Sequence, residues 1–357
     1  MWRLSSPLPR TTMVWRPGSS ARGPRCRSAP LRQRAAARSP SSSPGMLSMA
    51  RSRCRSGRAS PSRPATRRCT SPQAPPAWKP SFSSSPPRAR RSSPRPVPRI
   101  IEYTLFDSPD LMARMFFPRR VWSPAPPDAQ DHMVPVAAGV SLSARLYIRD
   151  KQSPTILFFH GNGEVACDYD DVAPDYTKAG ANLFAVDFRG YGKSGGSPLF
   201  SNMIADARAG FPYVRDLLKK EGFTGKLYVK GRSLGGHSAL EVAYHFAGDL
   251  AGMIHESSGA GVTMRMIQRF EGTKELPRAK ELQKLHEEKV RAVTLPVLII
   301  HGEIDELVPV ESAIHLYDAV GSKDKTLCVI PGAGHNDLLW VGRDLYFKAV
   351  REFVSRA

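Results

Sequence analysis

The sequence predicts an α/β fold, a mostly parallel central sheet covered by helices on both faces. Three observations carry that expectation. From about residue 100 onward, apolar runs of strand length alternate with amphipathic stretches of helix length, as strands joined by crossover helices require. The middle runs are continuously apolar, which implies strands buried on both faces. Charge also divides the chain. Residues 1–99 hold 22 of the 52 Lys plus Arg and none of the 32 Asp plus Glu, so they carry +22 of a net +20, and residues 100–357 are left at 30 basic against 32 acidic, a net of −2.

Element by element, the strand candidates are SLSARLYIR (141–149), TILFFHG (155–161), ANLFAVDF (181–188), KLYVKG (226–231), LAGMIHE (250–256), PVLIIHG (296–302) and KTLCVI (325–330). Helices are expected at 201–219, 234–247, 310–320 and 341–354. A short one runs from the Ser108-Pro109 start through Phe116, with serine as cap and proline at the first helical position. Residues 259–292 interrupt the alternation with a charged helical insertion, either a small lid or a connecting helix pair. No internal repeat is visible.

Residues 1–99 lack Ile, Tyr and Asn and are crowded with Ser, Pro, Arg and Ala. Such a composition buries too little apolar surface to offset the entropy of ordering, so disorder is expected. Two readings stay open: a genuine disordered tail, or translated upstream sequence with the true start near Met112 or Met133. A transit peptide is a third, weakened by the length and the lack of an amphipathic helix, and no apolar core suits a secretory signal. A basic tail could bind nucleic acid or an anionic surface through phosphate contacts. It lacks the aromatic interleaving of a specific reader, so no specific nucleic-acid partner is expected.

No stretch reaches the roughly 18 apolar residues of a membrane span. Cys26, Cys54 and Cys69 fall in the first segment, leaving Cys167 and Cys328 in residues 100–357. Two thiols in a large domain predict a reducing, cytoplasmic location without a disulfide framework. No Cys/His/Asp spacing suits a metal, and neither metal nor cofactor is expected. Oligomeric state is not legible.

The stretch YVKGRSLGGHSAL (228–240) runs from a strand into a helix through Gly231-Arg232-Ser233-Leu234-Gly235. A serine hydroxyl is a weak nucleophile, so an enzyme must expose it beside a base and supply donors for the oxyanion. A tight strand-to-helix turn lifts Ser233 above the sheet and aims the Leu234 N–H at that charge. Side chains at Gly231 and Gly235 would collide in so sharp a turn. The alternative is that G-x-S-x-G here is only a turn. Two further elements follow in order: Asp305, after PVLIIHG, and His335, in a glycine-rich loop after KTLCVI. All three lie at C-terminal strand ends, where open α/β sheets form ligand crevices.

With HGNGE (160–164) and DFRGYGKSGG (187–196) added, the sequence resembles the α/β-hydrolase superfamily over nearly all of residues 135–355. It looks most like the compact serine hydrolases that include acyl-protein thioesterases, acylglycerol lipases and serine aminopeptidases. The resemblance implies the α/β-hydrolase fold with a small insertion after the sixth strand. It makes Ser233 the nucleophile, His335 the general base and Asp305 the carboxylate that orients the imidazole. The Asn162 backbone N–H would join that of Leu234 in the oxyanion hole. It further implies cleavage of an ester, thioester or amide of a small-molecule or acyl substrate through an acyl-serine. Dehalogenase-like and epoxide-hydrolase-like members carry an aspartate where Ser233 stands.

Rival readings accompany each assignment. Glu256 sits where some related hydrolases carry their acid, but the H-G-x-x-D-x-x-V-P setting of Asp305 matches the family pattern. His335 could be a surface loop histidine. His160 and His301 are expected to be packed structural histidines, His237 and His245 to pack or face solvent, and Asp187 and Arg189 to shape the rim of the site. Met264 and Met266 are read as ordinary packing before acyl-pocket lining. The chain as a whole could also be a non-catalytic binding protein on this scaffold.

Overall fold

The computed structural model describes residues 98–262 and 264–356. The expectations for residues 1–97, including three of the cysteines, lie outside the described residues. In chain order the elements are α1 (Pro109–Met115), β1 (Ala129–Ala137), β2 (Val140–Tyr147), β3 (Thr155–Phe159), α2 (Ala173–Lys178), β4 (Asn182–Val186), α3 (Phe200–Lys220), β5 (Leu227–Arg232), α4 (Gly235–His245) and β6 (Gly252–Glu256). There follow α5 (Met264–Gln268), α6 (Leu276–Ala292), β7 (Val297–Gly302), α7 (Val310–Ala319), β8 (Lys325–Ile330), α8 (Leu338–Val341) and α9 (Arg343–Val354).

The strands form one sheet in the order β1-β2-β4-β3-β5-β6-β7-β8. The β1–β2 and β2–β4 pairings are antiparallel and the rest parallel. Continuous apolarity in the central strands fills both faces: in β3, Ile156 and Phe158 enter one core while Leu157 and Phe159 enter the other. The same division recurs in β4, where Leu183 and Ala185 oppose Phe184 and Val186. Each of these side chains larger than alanine contributes roughly 1.5–3 kcal/mol by leaving water. Since β4 lies on one side of β3 and β5 on the other, the chain reverses direction across the sheet at β3, the position at which open α/β sheets place ligands beyond their C-terminal strand ends.

All seven expected strands form, but the sequence did not announce β1 or α2. Only Val134 of β1 is buried, and the strand contains Pro135, both features of a sheet edge. The helix expected over 341–354 forms as α9, starting at Arg343, and the unexpected four-residue α8 precedes it; Gly342 separates the two, and a Cβ there would overlap Cγ2 of Ile330. In the insertion, α6 packs against α4 and α7. It buries Ala279, Leu282 and Val290 together with Lys289, which is ion-paired to Glu241 of α4.

Candidate active site

Ser233 stands between β5 and α4 with φ of +50°, one of two non-glycine residues at positive φ among those described. The sharpness of the turn is measurable at its glycines. A Cβ on Gly231 would lie 2.7 Å from Cα of Gly236, and one on Gly235 would lie 2.6 Å from the carbonyl oxygen of His160. Only glycine lets the helix start come this close to β3 and β5. The serine is anchored by its N–H, which donates to the carbonyl of Glu256 at 2.8 Å, and it remains half-buried.

The three expected residues meet. His335 Nε2 lies 2.9 Å from Ser233 Oγ, and His335 Nδ1 lies 2.8 Å from Asp305 Oδ2. The other oxygen of Asp305 accepts the N–H groups of Leu307 (2.9 Å) and Val308 (2.7 Å). Burial pushes the Asp305 carboxyl up, but the hydrogen bonds from His335 and the Val308 N–H outweigh it and hold it below the usual carboxylate range. An ionised carboxylate only accepts, so Nδ1 carries the proton and Nε2 presents its lone pair to the Ser233 hydroxyl.

Hydrogen bonds lace the acid loop to the base loop. Ile304 N–H donates to the Ala333 carbonyl at 2.9 Å, and Gly332 N–H to Glu303 Oε2 at 2.8 Å. Gly302 has no room for a side chain, since its Cβ would lie 2.5 Å from the Gly334 carbonyl oxygen. These contacts bring residues 30 apart into hydrogen-bonding distance.

Glu256 is engaged elsewhere. Its Oε2 meets Lys230 Nζ at 2.6 Å and accepts the Tyr346 hydroxyl at 2.7 Å, while Oε1 faces Arg232 Nε at 3.2 Å. Burial raises its carboxyl, yet Lys230 and Arg232 together hold it below the ordinary range. It serves as a structural counter-ion, and Asp305 has the imidazole.

Asn162 follows the end of β3 and Leu234 caps the start of α4. Neither N–H donates to a main-chain carbonyl among the described residues. The Asn162 side chain fixes its own loop: Oδ1 accepts from Phe117 N–H (3.0 Å) and Tyr191 OH (2.8 Å), and Nδ2 donates to Met115 O (2.5 Å).

The remaining histidines pack or support. His160 is buried, with Nδ1 on the Gly161 carbonyl (2.7 Å) and Nε2 facing Asp187 (3.3 Å). His301 Nε2 reaches the Val308 carbonyl at 2.8 Å and so supports the acid loop. His237 is buried on α4, and His245 lies against Glu241. Arg189 pairs with Asp206 of α3, and Asp187 accepts from Ala166 N–H and Ser143 OH. Met266 belongs to the core; the Met264 side chain lies outside the described residues. Sequence reading passed over Arg232 and Glu164, which form an ion pair beneath the site. Their signal was there, as charges flanking the apolar strand ends in KGRS and HGNGE. Among the described residues no group of three or more His, Cys, Asp or Glu is placed to hold a metal ion, and no helix is long and apolar enough to cross a membrane.

The chain is 30% identical over 208 residues to human alpha/beta hydrolase domain-containing protein 17B, covering 57% of this chain and 66% of that protein. It is 28% identical over 207 residues to Schizosaccharomyces pombe protein bem46, covering 57% and 67%. The Pyrococcus furiosus esterase Pf2001 superposes with a TM-score of 0.54 at 23% identity, over 67% of this chain and 98% of the esterase, which shows a common fold. The profile of the family described as serine aminopeptidase, S33 matches residues 150–284 and 277–339, more than half of the chain. With the α/β-hydrolase fold in place and a serine, a histidine and an aspartate aligned at its strand ends, the chain belongs to this serine aminopeptidase family and is a serine hydrolase.

Proposed function

We propose that the protein cleaves a carboxylic ester, thioester or amide through an acyl-enzyme on Ser233. The observation that carries this reading is the hydrogen-bonded row from Asp305 through His335 to Ser233 Oγ, with distances of 2.8 and 2.9 Å. Ser233 Oγ attacks the substrate carbonyl carbon as its proton passes to His335 Nε2, and the negative charge that develops on the carbonyl oxygen is received by the N–H groups of Asn162 and Leu234. As the tetrahedral intermediate collapses, His335 returns the proton to the departing alcohol, thiol or amine. Water then attacks the acyl-serine with His335 again as base, releasing the carboxylic acid and restoring the hydroxyl. Asp305 stays ionised throughout and stabilises the transient imidazolium.

The substrate is a small or extended acyl compound, since the insertion packs α6 on α4 and α7 and leaves little chain to roof the site. A reducing, cytoplasmic location belongs to the same proposal and is supported by the free thiols of Cys167 and Cys328.

The test is labelling with a fluorophosphonate probe alongside turnover of a short-chain aryl ester. Wild type labels and turns over, Ser233→Ala does neither, and His335→Ala loses turnover. Equal labelling of wild type and Ser233→Ala removes the assignment, and a folded wild type that neither labels nor turns over favours a binding protein on this scaffold.

A further inference from the structure

Arg232 ends β5, directly before the serine, and takes no part in the steps above. Its side chain is buried and all three guanidinium nitrogens are engaged. Nη1 pairs with the Glu164 carboxylate. Nη2 donates to the carbonyl of His335 at 3.1 Å and to Oδ1 of Asn336 at 2.9 Å. Nε faces Glu256 Oε1 at 3.2 Å. The contacts continue one step further on each side. Glu164 Oε2 accepts the N–H of Gly161, the residue before Asn162, at 2.8 Å, and the Tyr169 hydroxyl at 2.7 Å. Glu256 accepts the Ser233 N–H through its carbonyl at 2.8 Å.

We propose that Arg232 is a positioning residue, whose guanidinium holds the Asn162 loop, the Ser233 turn and the His335 loop at their working separations. This rests on the reading above that Ser233 and His335 react. A planar fork with fixed donor directions can span a carboxylate on one side and a carbonyl on the other; an ammonium on a flexible stem cannot hold both. The cradle is built around the fork, since a Cβ on Gly161 would overlap Nη1 and lie 3.1 Å from the Glu164 carboxyl carbon. Three loops distant along the chain thus depend on one group. A displacement of about 1 Å at a reacting centre costs on the order of 100-fold in rate.

A purely structural role predicts something different: fewer folded molecules, each with normal turnover. The experiment therefore counts active sites. Arg232→Lys is titrated with a fluorophosphonate probe, and kcat per titrated site is measured on a short-chain aryl ester, together with inhibition by an aryl boronic acid that adds to Ser233 and occupies the oxyanion hole. The expected result is a fall in kcat per site of roughly 100-fold, with KM changed by less than about threefold and boronate affinity falling in parallel with kcat. Wild-type kcat per site, even in a protein of lowered melting temperature, overturns the proposal. Should Arg232→Lys fail to fold, Glu164→Gln keeps the side-chain shape while removing the charge that holds Nη1, and it must show the same split; a wild-type kcat in that variant overturns the proposal equally. Failure of the underlying reading would show separately, as equal probe labelling of wild type and Ser233→Ala.

Discussion

Asp305 follows β7 and Glu256 ends the neighbouring parallel strand β6, yet only Asp305 reaches His335, with Oδ2 2.8 Å from Nδ1. Glu256 points into a buried set of cations and hydroxyls formed by Lys230, Arg232 and Tyr346. The two carboxylates thus have different work, and substitution separates them.

Asp305→Asn is expected to lower kcat by about 10⁴-fold, because an amide donor opposite Nδ1 favours the wrong imidazole tautomer. Glu256→Gln leaves the imidazole partner intact and acts mainly on stability, by unbalancing Lys230 and Arg232. Steady-state kinetics and urea unfolding of both variants check this; a larger kcat loss in Glu256→Gln would exchange their roles.

The backbone at Ser233 is held at φ +50°, a region in which a Cβ costs roughly 1–2 kcal/mol. Ser233→Gly should therefore be more stable than Ser233→Ala by about 1 kcal/mol, with both variants inactive. Equal urea midpoints in the two would mean that the turn stores no strain.

Glycines divide by what surrounds them. Gly235→Ala drives a methyl group into main-chain carbonyls at the end of β3, so a loss of about 3 kcal/mol or more is expected. Gly139→Ala meets only its positive φ of +69°, with open space around it, and should cost about 1 kcal/mol. Thermal melts of the pair provide the comparison, and equal losses would contradict the packing described at the turn.

Acid should weaken the fold before its carboxylates titrate. Burial, assisted by Lys289, pushes His237 down to about 4. Burial, assisted by His237 and His301, pushes His255 down to about 3. Both folded values lie below the ordinary 6.5, so the unfolded chain takes up protons first. Their contribution is whole above pH 6.5 and is lost as pH falls toward the folded values, by about 1.4 kcal/mol per pH unit per histidine. Urea midpoints at pH 7 and pH 5 should differ accordingly, and His237→Phe should flatten the slope by one histidine's share. An unchanged slope in that variant would assign the acid sensitivity to other groups.

Much of this was legible because it is local. The strands announced themselves as apolar runs and the turn at Ser233 as glycines around a serine. Asp305 and His335 were recognisable from their positions just beyond strand ends. Edge strand β1 escaped because only Val134 is buried and Pro135 interrupts it. Arg232 and Glu164 escaped for another reason, being 68 residues apart and paired only after folding.

The order of amino acids alone determined the sheet, its two apolar faces and the residues proposed to do acyl chemistry, because periodicity and turn geometry act over a few neighbours. Which carboxylate faces His335, and which cation underlies the site, depended on strand order and loop approach. Those are properties of the assembled sheet, where β7 lies beside both β6 and β8 and hydrogen bonds between the acid and base loops settle the outcome.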